Sequence, residues 1–165
     1  MSRRPEPPVG VDEHVVGLIS DTHGLLRPEA LAVLTGCERI VHAGDVGSPE
    51  VLDGLERVAP VVAVRGNVDR GAWADRLPAN QVAKVGTVRL YVIHDLAALD
   101  IDPAAAGFAA VVSGHSHRAG TFERGGVLFI NPGSAGPRRF NQPASVAVAH
   151  VRGTVVRVDL VVLET

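Results

Sequence analysis

The sequence predicts an α/β protein in which two β-sheets pack face to face and helices lie on the outside. In the first half of the chain, apolar runs alternate with helical segments, which is typical of parallel strands joined by crossover helices. In the second half, apolar runs occur in pairs separated by short glycine-containing turns, which is typical of β-hairpins. The chain has 165 residues and is 46% hydrophobic, which is enough for one domain with a substantial core.

The first half is predicted to contain three buried strands and two helices. Pro28 stands at the start of the first helix, and Gly36 follows its end. Ser48 and Pro49 are the N-cap and first residue of the second helix. The predicted strands cover residues 15–19, 39–43 and 61–64, and the helices cover 28–34 and 48–58. Each strand ends in a polar loop that contains glycine, and ligands of α/β sheets bind beyond such strand ends.

The second half is predicted to contain three hairpins and one more buried strand. The hairpin turns are Gly86-Thr87, Gly125-Gly126 and Arg152-Gly153. The paired strands cover residues 81–85 with 88–94, 121–124 with 127–130, and 145–151 with 154–162. The further buried strand covers residues 109–113.

Composition excludes several classes of protein. Cys37 is the single cysteine, so an internal disulfide and a thiolate metal cage are both excluded. The proline-rich segment 1–12 predicts a disordered arm before a single domain over 13–165, and it lacks the apolar stretch of a signal peptide. No run reaches the ~20 apolar residues that span a membrane, so we expect a soluble cytoplasmic protein. The net charge of −2 gives no basic face for long nucleic acid.

Aspartate, histidine and asparagine follow five of the predicted strands. Residues two apart at a strand end point to one side, so each Asp-x-His or His-x-His pair can face one pocket. Oxygen and imidazole donors without thiolates suit manganese, iron, zinc, nickel or cobalt. Seven donors are too many for one tetrahedral ion and suit two ions that share a carboxylate. The donors are Asp21, His23, Asp45, Asn67, His94, His115 and His117.

Each of these motifs has an ordinary structural explanation when it is taken alone. His94 follows an apolar run, where a histidine is more often part of the core than a metal ligand. Gly66-Asn67 alone is more often a turn. The joint pattern favours a metal site, because every motif ends a buried run within one small domain. The chain shows neither a Walker loop nor a Ser-His-Asp order, which excludes the corresponding enzymes.

The order of these motifs resembles that of the calcineurin-like metallophosphoesterases. The resemblance covers residues 15–161, and the sequence Asn131-Pro132-Gly133-Ser134 is similar to the small bacterial and archaeal phosphodiesterase branch. It implies a four-layer αββα sandwich with the site at the ends of the sheets. It also implies two divalent ions, manganese foremost, with iron, zinc, nickel or cobalt as alternatives.

The resemblance assigns a role to each donor. The first ion would be held by Asp21, His23 and His117, the second by Asn67, His94 and His115, and both by Asp45. A bridging hydroxide would attack phosphorus in line, with Asp45, Asn67, His94 and His117 as the catalytic set. Arg65, beside the Gly-Asn motif, is the best candidate for a contact with the substrate phosphate.

Two positions depart from the family pattern. Val68 stands where many members have a histidine that protonates the leaving group, which favours activated leaving groups or diesters. Asp95 follows His94 where the family usually has glycine, so the role of His94 is less secure. Asp69 is expected to orient its loop without contacting metal.

Three functions are compatible with this pattern. The first is a metal-dependent phosphodiesterase acting on a small phosphoester. The second is a non-catalytic metal-binding scaffold for protein interactions, as in the retromer subunit of this fold; the intact set of seven donors argues against it. The third, a nuclease, lacks a basic groove for long nucleic acid. The oligomeric state is open, and a homo-oligomer is compatible with the sequence.

Overall fold

The structure, a computed structural model, describes residues 12–139 and 141–164. The predicted disordered arm therefore lies outside the described residues, apart from Asp12. The strands in chain order are β1 (Glu13–Ile19), β2 (Arg39–His42), β3 (Val61–Ala63), β4 (Asn80–Val85), β5 (Val88–Ile93), β6 (Ala110–Val112), β7 (Gly120–Arg124), β8 (Val127–Asn131), β9 (Ser145–Arg152) and β10 (Val155–Val162). The helices are α1 (Pro28–Leu34), α2 (Pro49–Glu56) and α3 (Ala72–Asp75), and a 3₁₀ turn covers Leu96–Ala98.

The strands form two mixed five-stranded sheets. The first sheet has the order β10-β9-β1-β2-β3, and the second has the order β4-β5-β6-β8-β7. Parallel pairing joins β1, β2 and β3 in the first sheet, and β5, β6 and β8 in the second. The three predicted hairpins, β4–β5, β7–β8 and β9–β10, are all antiparallel pairs. The predicted arrangement of two packed sheets is confirmed.

The main core lies between the two sheets. Val16 and Leu18 of β1 face Leu90 and Val92 of β5 within one apolar cluster, and all four side chains are fully buried. Alternate residues of each strand point into this layer, because side chains of a strand alternate between the two faces of a sheet. A second cluster packs α1 and α2 on the outer face of the first sheet.

Among the residues that the structure describes, no α-helix covers the outer face of the second sheet. Leu96 and Leu99, at the 3₁₀ turn, and Phe108 pack on Tyr91 and Phe129. The covering segment contains Asp and Pro residues that favour turns, so the fourth layer is a turn-rich loop. This layer covers only part of the sheet.

Some element bounds differ from the predictions by one or two residues. Helix α2 ends at Glu56, before the predicted Val58, and β3 ends at Ala63. The short helix α3 and the 3₁₀ turn were not predicted from the sequence. Such short elements lack a hydrophobic period long enough to identify them.

Among the described residues, no helix combines the length and apolar character that a membrane crossing requires.

Candidate metal centre

The loops that follow five strands meet at one end of the two sheets. Backbone hydrogen bonds join the loops after β1 and β2: Asp21 N donates to Gly44 O at 3.0 Å and His23 N donates to Asp45 O at 3.0 Å. In the second sheet, Gly114 N donates to His94 O at 2.9 Å. The two sheets are joined as well, because His115 N donates to the Asp21 carboxylate at 3.1 Å. The predicted donors are therefore brought to one region.

Five of the seven predicted donors have a left-handed backbone. Left-handed φ is costly for most residues and is tolerated best by glycine, asparagine, aspartate and histidine. In the described chain, the only other non-glycine residue with positive φ is Asn141. Residues held in this region cluster at functional sites, where the fold compensates for the strain. The φ angles are 54° at Asp21, 47° at His23, 53° at Asp45, 69° at His115 and 61° at His117.

Two carboxylates form the centre of the cluster. Asp21 is fully buried and Asp45 is 3% exposed. His117 Nε2 lies 3.3 Å from Asp21 Oδ1, and His94 Nε2 lies 3.2 Å from Asp45 Oδ2. His23 Nε2 lies between them, 3.9 Å from Asp21 Oδ1 and 3.8 Å from Asp45 Oδ2.

Each carboxylate is held by its other oxygen. Asp21 Oδ2 accepts hydrogen bonds from Ser20 Oγ at 2.7 Å and from His115 N at 3.1 Å. Asp45 Oδ1 accepts a hydrogen bond from Val68 N at 3.0 Å. The oxygens that face the histidines, Asp21 Oδ1 and Asp45 Oδ2, are thereby aimed into the cluster. Support of this kind fixes the orientation of metal-binding side chains.

Several buried polar atoms of the cluster have no hydrogen-bond partner. They are Asp21 Oδ1, His23 Nε2 and His117 Nδ1. A buried acceptor without a partner costs about 1–3 kcal/mol, and more when it is charged. Asp21, His23 and His117 can each place one donor atom within 4.8 Å of the others, and so can Asp21, Asp45 and His94. The donor set therefore fits divalent cations, which would satisfy Asp21 Oδ1 and His23 Nε2.

His94 is firmly placed despite the aspartate that follows it. Its Nδ1 lies 2.8 Å from Ala43 O, so we assign the proton to Nδ1. Nε2 lies 3.0 Å from Asn67 Oδ1 and 3.2 Å from Asp45 Oδ2, so it donates a proton to these oxygens when no cation is bound, and a cation would take the place of that proton. Asp95 caps the 3₁₀ turn by accepting a hydrogen bond from Ala97 N at 3.0 Å, and it does not displace His94.

Burial and the two carboxylates act in opposite directions on the pKa values of the histidines. Burial lowers the pKa of His94, but the Asp45 hydrogen bond and the charges of Asp21 and Asp45 outweigh it, so the pKa is raised. Burial lowers the pKa of His23 and prevails over the same carboxylates, with Arg139 also lowering it. Burial alone would raise the pKa of Asp45, yet hydrogen bonds from His94 and Val68 lower it. Asp45 is therefore ionised, as a metal ligand must be.

Three predicted residues lie at the edge of the cluster. The His115 side chain is 48% exposed, and its Nε2 lies 3.8 Å from Asp95 Oδ2, outside both ligand groups named above. Asn67 is exposed, although its Oδ1 contacts His94. Arg65 is also exposed and lines a groove of about 320 Å³ together with Asn67 and His115.

Other residues support the centre without facing it. Asp69 orients its own loop, as predicted, by accepting a hydrogen bond from Gly66 N at 2.9 Å. It also accepts hydrogen bonds from Val46 N at 3.2 Å and Gly47 N at 2.9 Å, which fixes the loop of Asp45 and was not predicted. Ser134 also supports the centre, since its Oγ donates to Asp21 O at 3.0 Å, and this role was not predicted from the sequence. The position of Ser134 in the Asn-Pro-Gly-Ser motif is the sequence feature that could have indicated this role.

Comparison with known proteins gives consistent results. Residues 15–154 match the model of the calcineurin-like phosphoesterase superfamily domain. A probable metallophosphoesterase of Methanothermobacter thermautotrophicus is 32% identical over 159 residues, covering 89% of this chain and 91% of the relative. The solved structure of an archaeal phosphodiesterase has a TM-score of 0.74 at 20% identity and covers 89% of this chain and 99% of that protein. Zinc-complexed Vps29 of Entamoeba histolytica has a TM-score of 0.65 at 24% identity, covering 90% and 98%.

Proposed function

The chain belongs to the calcineurin-like phosphoesterase superfamily, and we propose that it is a metal-dependent phosphodiesterase with a two-ion centre. The observation that carries this proposal is the pair of buried carboxylate oxygens, Asp21 Oδ1 and Asp45 Oδ2, that face three imidazole Nε2 atoms. When bound, two divalent ions supply a hydroxide nucleophile and neutralise charge on the phosphoryl group.

Asp45 is the proposed shared ligand. Its Oδ2 lies 3.8 Å from His23 Nε2 and 3.2 Å from His94 Nε2, and these two histidines belong to the two different ligand sets. Asp21, His23 and His117 would hold the first ion. Asn67, His94 and His115 would hold the second. We propose manganese as the preferred ion, with iron, zinc, nickel or cobalt as alternatives, because oxygen and imidazole donors suit all of them.

The residues around the centre favour substrates that need little help from an acid. In hydrolysis, the oxygen of water joins phosphorus, the ester P–O bond breaks, and the leaving oxygen takes up a proton. Val68 is 44% exposed beside Asp45 and carries no proton that it could donate. An activated alcohol leaves as a stable anion and takes its proton from solvent. We therefore propose small phosphodiesters with good leaving groups, with Arg65 meeting the phosphate.

The alternative is a non-catalytic metal-binding scaffold of the same fold. The similarity of the fold to that of zinc-complexed Vps29 is the observation that supports this alternative. The complete donor set favours catalysis, because an interaction surface does not need a buried cluster of unpaired ligand atoms. A cytoplasmic location and a homo-oligomer stay predictions.

The proposal is tested with bis(p-nitrophenyl) phosphate and manganese. The purified protein should release p-nitrophenolate, and chelation should abolish the release. Asp45→Asn should lower kcat by at least about 100-fold, as expected when a charge-stabilising group at a reaction centre is lost. Asp53→Asn, at an exposed site on α2, is the matched control and should retain activity.

Two outcomes would contradict the proposal. Wild-type activity in Asp45→Asn would refute the shared-ligand role. Full manganese occupancy without turnover of any phosphoester in a broad panel would favour the scaffold.

A further inference from the structure

A cleft adjoins the metal centre on the outer face of the second sheet. It has a volume of about 260 Å³ and lies beside Asp95 and Leu96, where the turn-rich covering segment begins. Its lining includes Leu96 on one side and Phe122 and Phe129 on the other. This part of the sheet is thus accessible to a ligand.

An aromatic pair forms one wall of the cleft. Phe122 of β7 and Phe129 of β8 are direct cross-strand neighbours, with ring centroids 4.7 Å apart and planes inclined by 6°. Phe129 is 5% exposed, whereas Phe122 is 44% exposed. The Arg124 guanidinium lies 5.3 Å from the Phe122 centroid and 5.9 Å from the Phe129 centroid. Phe122 is therefore held in place by its neighbours while much of its ring faces solvent.

The cleft and the groove beside the metal centre are neighbours that share part of their lining. His115 and Asp95 line both the cleft and the groove that contains Asn67. Asn131, also in the cleft wall, donates from Nδ2 to Gly114 O at 3.0 Å, on the loop that carries His115. A ligand that passes from this groove over His115 and Asp95 would meet the aromatic pair.

We propose that this cleft is a substrate subsite for a planar aromatic group, and that Phe122 determines specificity for it. The inference rests on the proposed function, because the aromatic group would belong to the phosphoester bound at the centre. An exposed, held phenyl ring favours stacking with a planar ring over contact with a flexible alkyl chain. The ring could be that of an aryl ester or of a nucleobase, since both offer the same aromatic surface.

The test measures binding, so it does not require turnover. Manganese-loaded protein is titrated with two pairs of probes that differ by one ring: phenylphosphonate against methylphosphonate, and uridine 5′-monophosphate against ribose 5-phosphate. In the wild type, the aromatic member of at least one pair should bind roughly five- to tenfold more tightly. The pair that shows the preference identifies an aryl group or a nucleobase as the source of the ring.

Variants assign the preference to Phe122. Phe122→Ala should reduce it to less than twofold, while Phe122→Tyr should keep it. Leu160→Ala removes another exposed apolar side chain, on β10, and should leave it unchanged. Unfolding midpoints establish that each variant is folded.

The two proposals fail separately. A ring preference that is absent in the wild type, or unchanged in Phe122→Ala, overturns the subsite. A Phe122-dependent preference in a protein without turnover supports the subsite and refutes the phosphodiesterase.

Discussion

At the residue scale, His42 shows how a histidine next to the cluster is kept out of it. Its side chain is fully buried behind the centre. Nε2 lies 3.0 Å from Thr22 Oγ1, whose hydroxyl donates to Val46 O at 2.8 Å, so we assign the His42 proton to Nε2. Nδ1 accepts a hydrogen bond from Gly44 N at 3.1 Å. Both nitrogens are thus used within the protein, and burial lowers the pKa of His42 to about 3.

The pH dependence of stability should report this buried histidine. The folded pKa of about 3 lies below the ordinary value of 6.5, so the unfolded chain binds the extra proton between these pH values. The neutral form of His42 therefore stabilises the folded state fully above pH 6.5, and this contribution to the free energy of unfolding is lost as the pH falls towards 3. In urea titrations with chelator present, His42→Gln should flatten the dependence by up to about 1 kcal/mol per pH unit. An identical slope in both proteins would contradict the assignment.

At the element scale, the loop between β2 and α2 owes its shape to close packing around Gly44. Gly44 has a φ of 100°, and a Cβ there would lie 2.7 Å from His94 Nδ1 and 2.9 Å from His94 Cγ. Asp69 holds the next turn of the same loop through its bonds to Val46 N and Gly47 N. The loop therefore has almost no freedom to move Asp45.

Gly44→Ala should damage both stability and metal affinity. Gly36 offers a matched control, since its φ is 94° but a Cβ would meet nothing within 4 Å. Gly36→Ala should cost about 1–2 kcal/mol, from the left-handed backbone alone. Gly44→Ala should cost more than this and should weaken manganese binding, measured by calorimetry, because the new methyl group displaces His94. Equal costs and equal affinities in the two variants would show that His94 has room to shift.

At the scale of the whole molecule, the centre joins the two sheets. Asp21, His23 and Asp45 follow strands of the first sheet, whereas His94 and His117 follow strands of the second. A metal ion bound between them would bind the folded chain alone, because the unfolded chain does not hold these side chains together. Occupancy should therefore stabilise the packing of the sheets.

Thermal unfolding measures this coupling. At manganese concentrations about 100 times Kd, binding contributes about 2.7 kcal/mol, which corresponds to a rise in Tm of roughly 5–10 °C. Asp21→Asn should lose most of the rise, since Asp21 Oδ1 is the buried oxygen that lies within 4 Å of the Nε2 atoms of His23, His94 and His117. Asp53→Asn should keep the rise. A rise of equal size in Asp21→Asn would place the bound ion elsewhere.

The succession of strands along the chain and the place of the candidate donors at strand ends were predictable, because both are local properties of the sequence. Apolar runs identify buried strands, and the residue after each run lies at the end of its strand. The left-handed φ of Asp45 and the hydrogen bond of His94 to Ala43 are not local in this sense. They arise when loops from separate strands pack together.

Two features could not have been read from the sequence. His115 was expected to be a ligand of the second ion; its side chain is 48% exposed, and its Nε2 lies 3.8 Å from Asp95 Oδ2. Its orientation depends on a contact between two loops of the second sheet. The cover of that sheet also escaped prediction, because Leu96, Leu99 and Phe108 show no helical or strand period and become a layer only through packing.

The left-handed backbone of the donor residues also restricts which amino acids can replace them without damage to the fold. A substitution that removes metal binding still has to place a residue in the left-handed region. Asparagine adopts that conformation more easily than alanine does. Asp21 and Asp45 have φ angles of 54° and 53°. Asparagine is therefore the substitution that inactivates either site with the least damage to the fold, in evolution as well as in the laboratory. The same Asp→Asn substitution would give an inactive variant that keeps its fold and can trap a substrate complex.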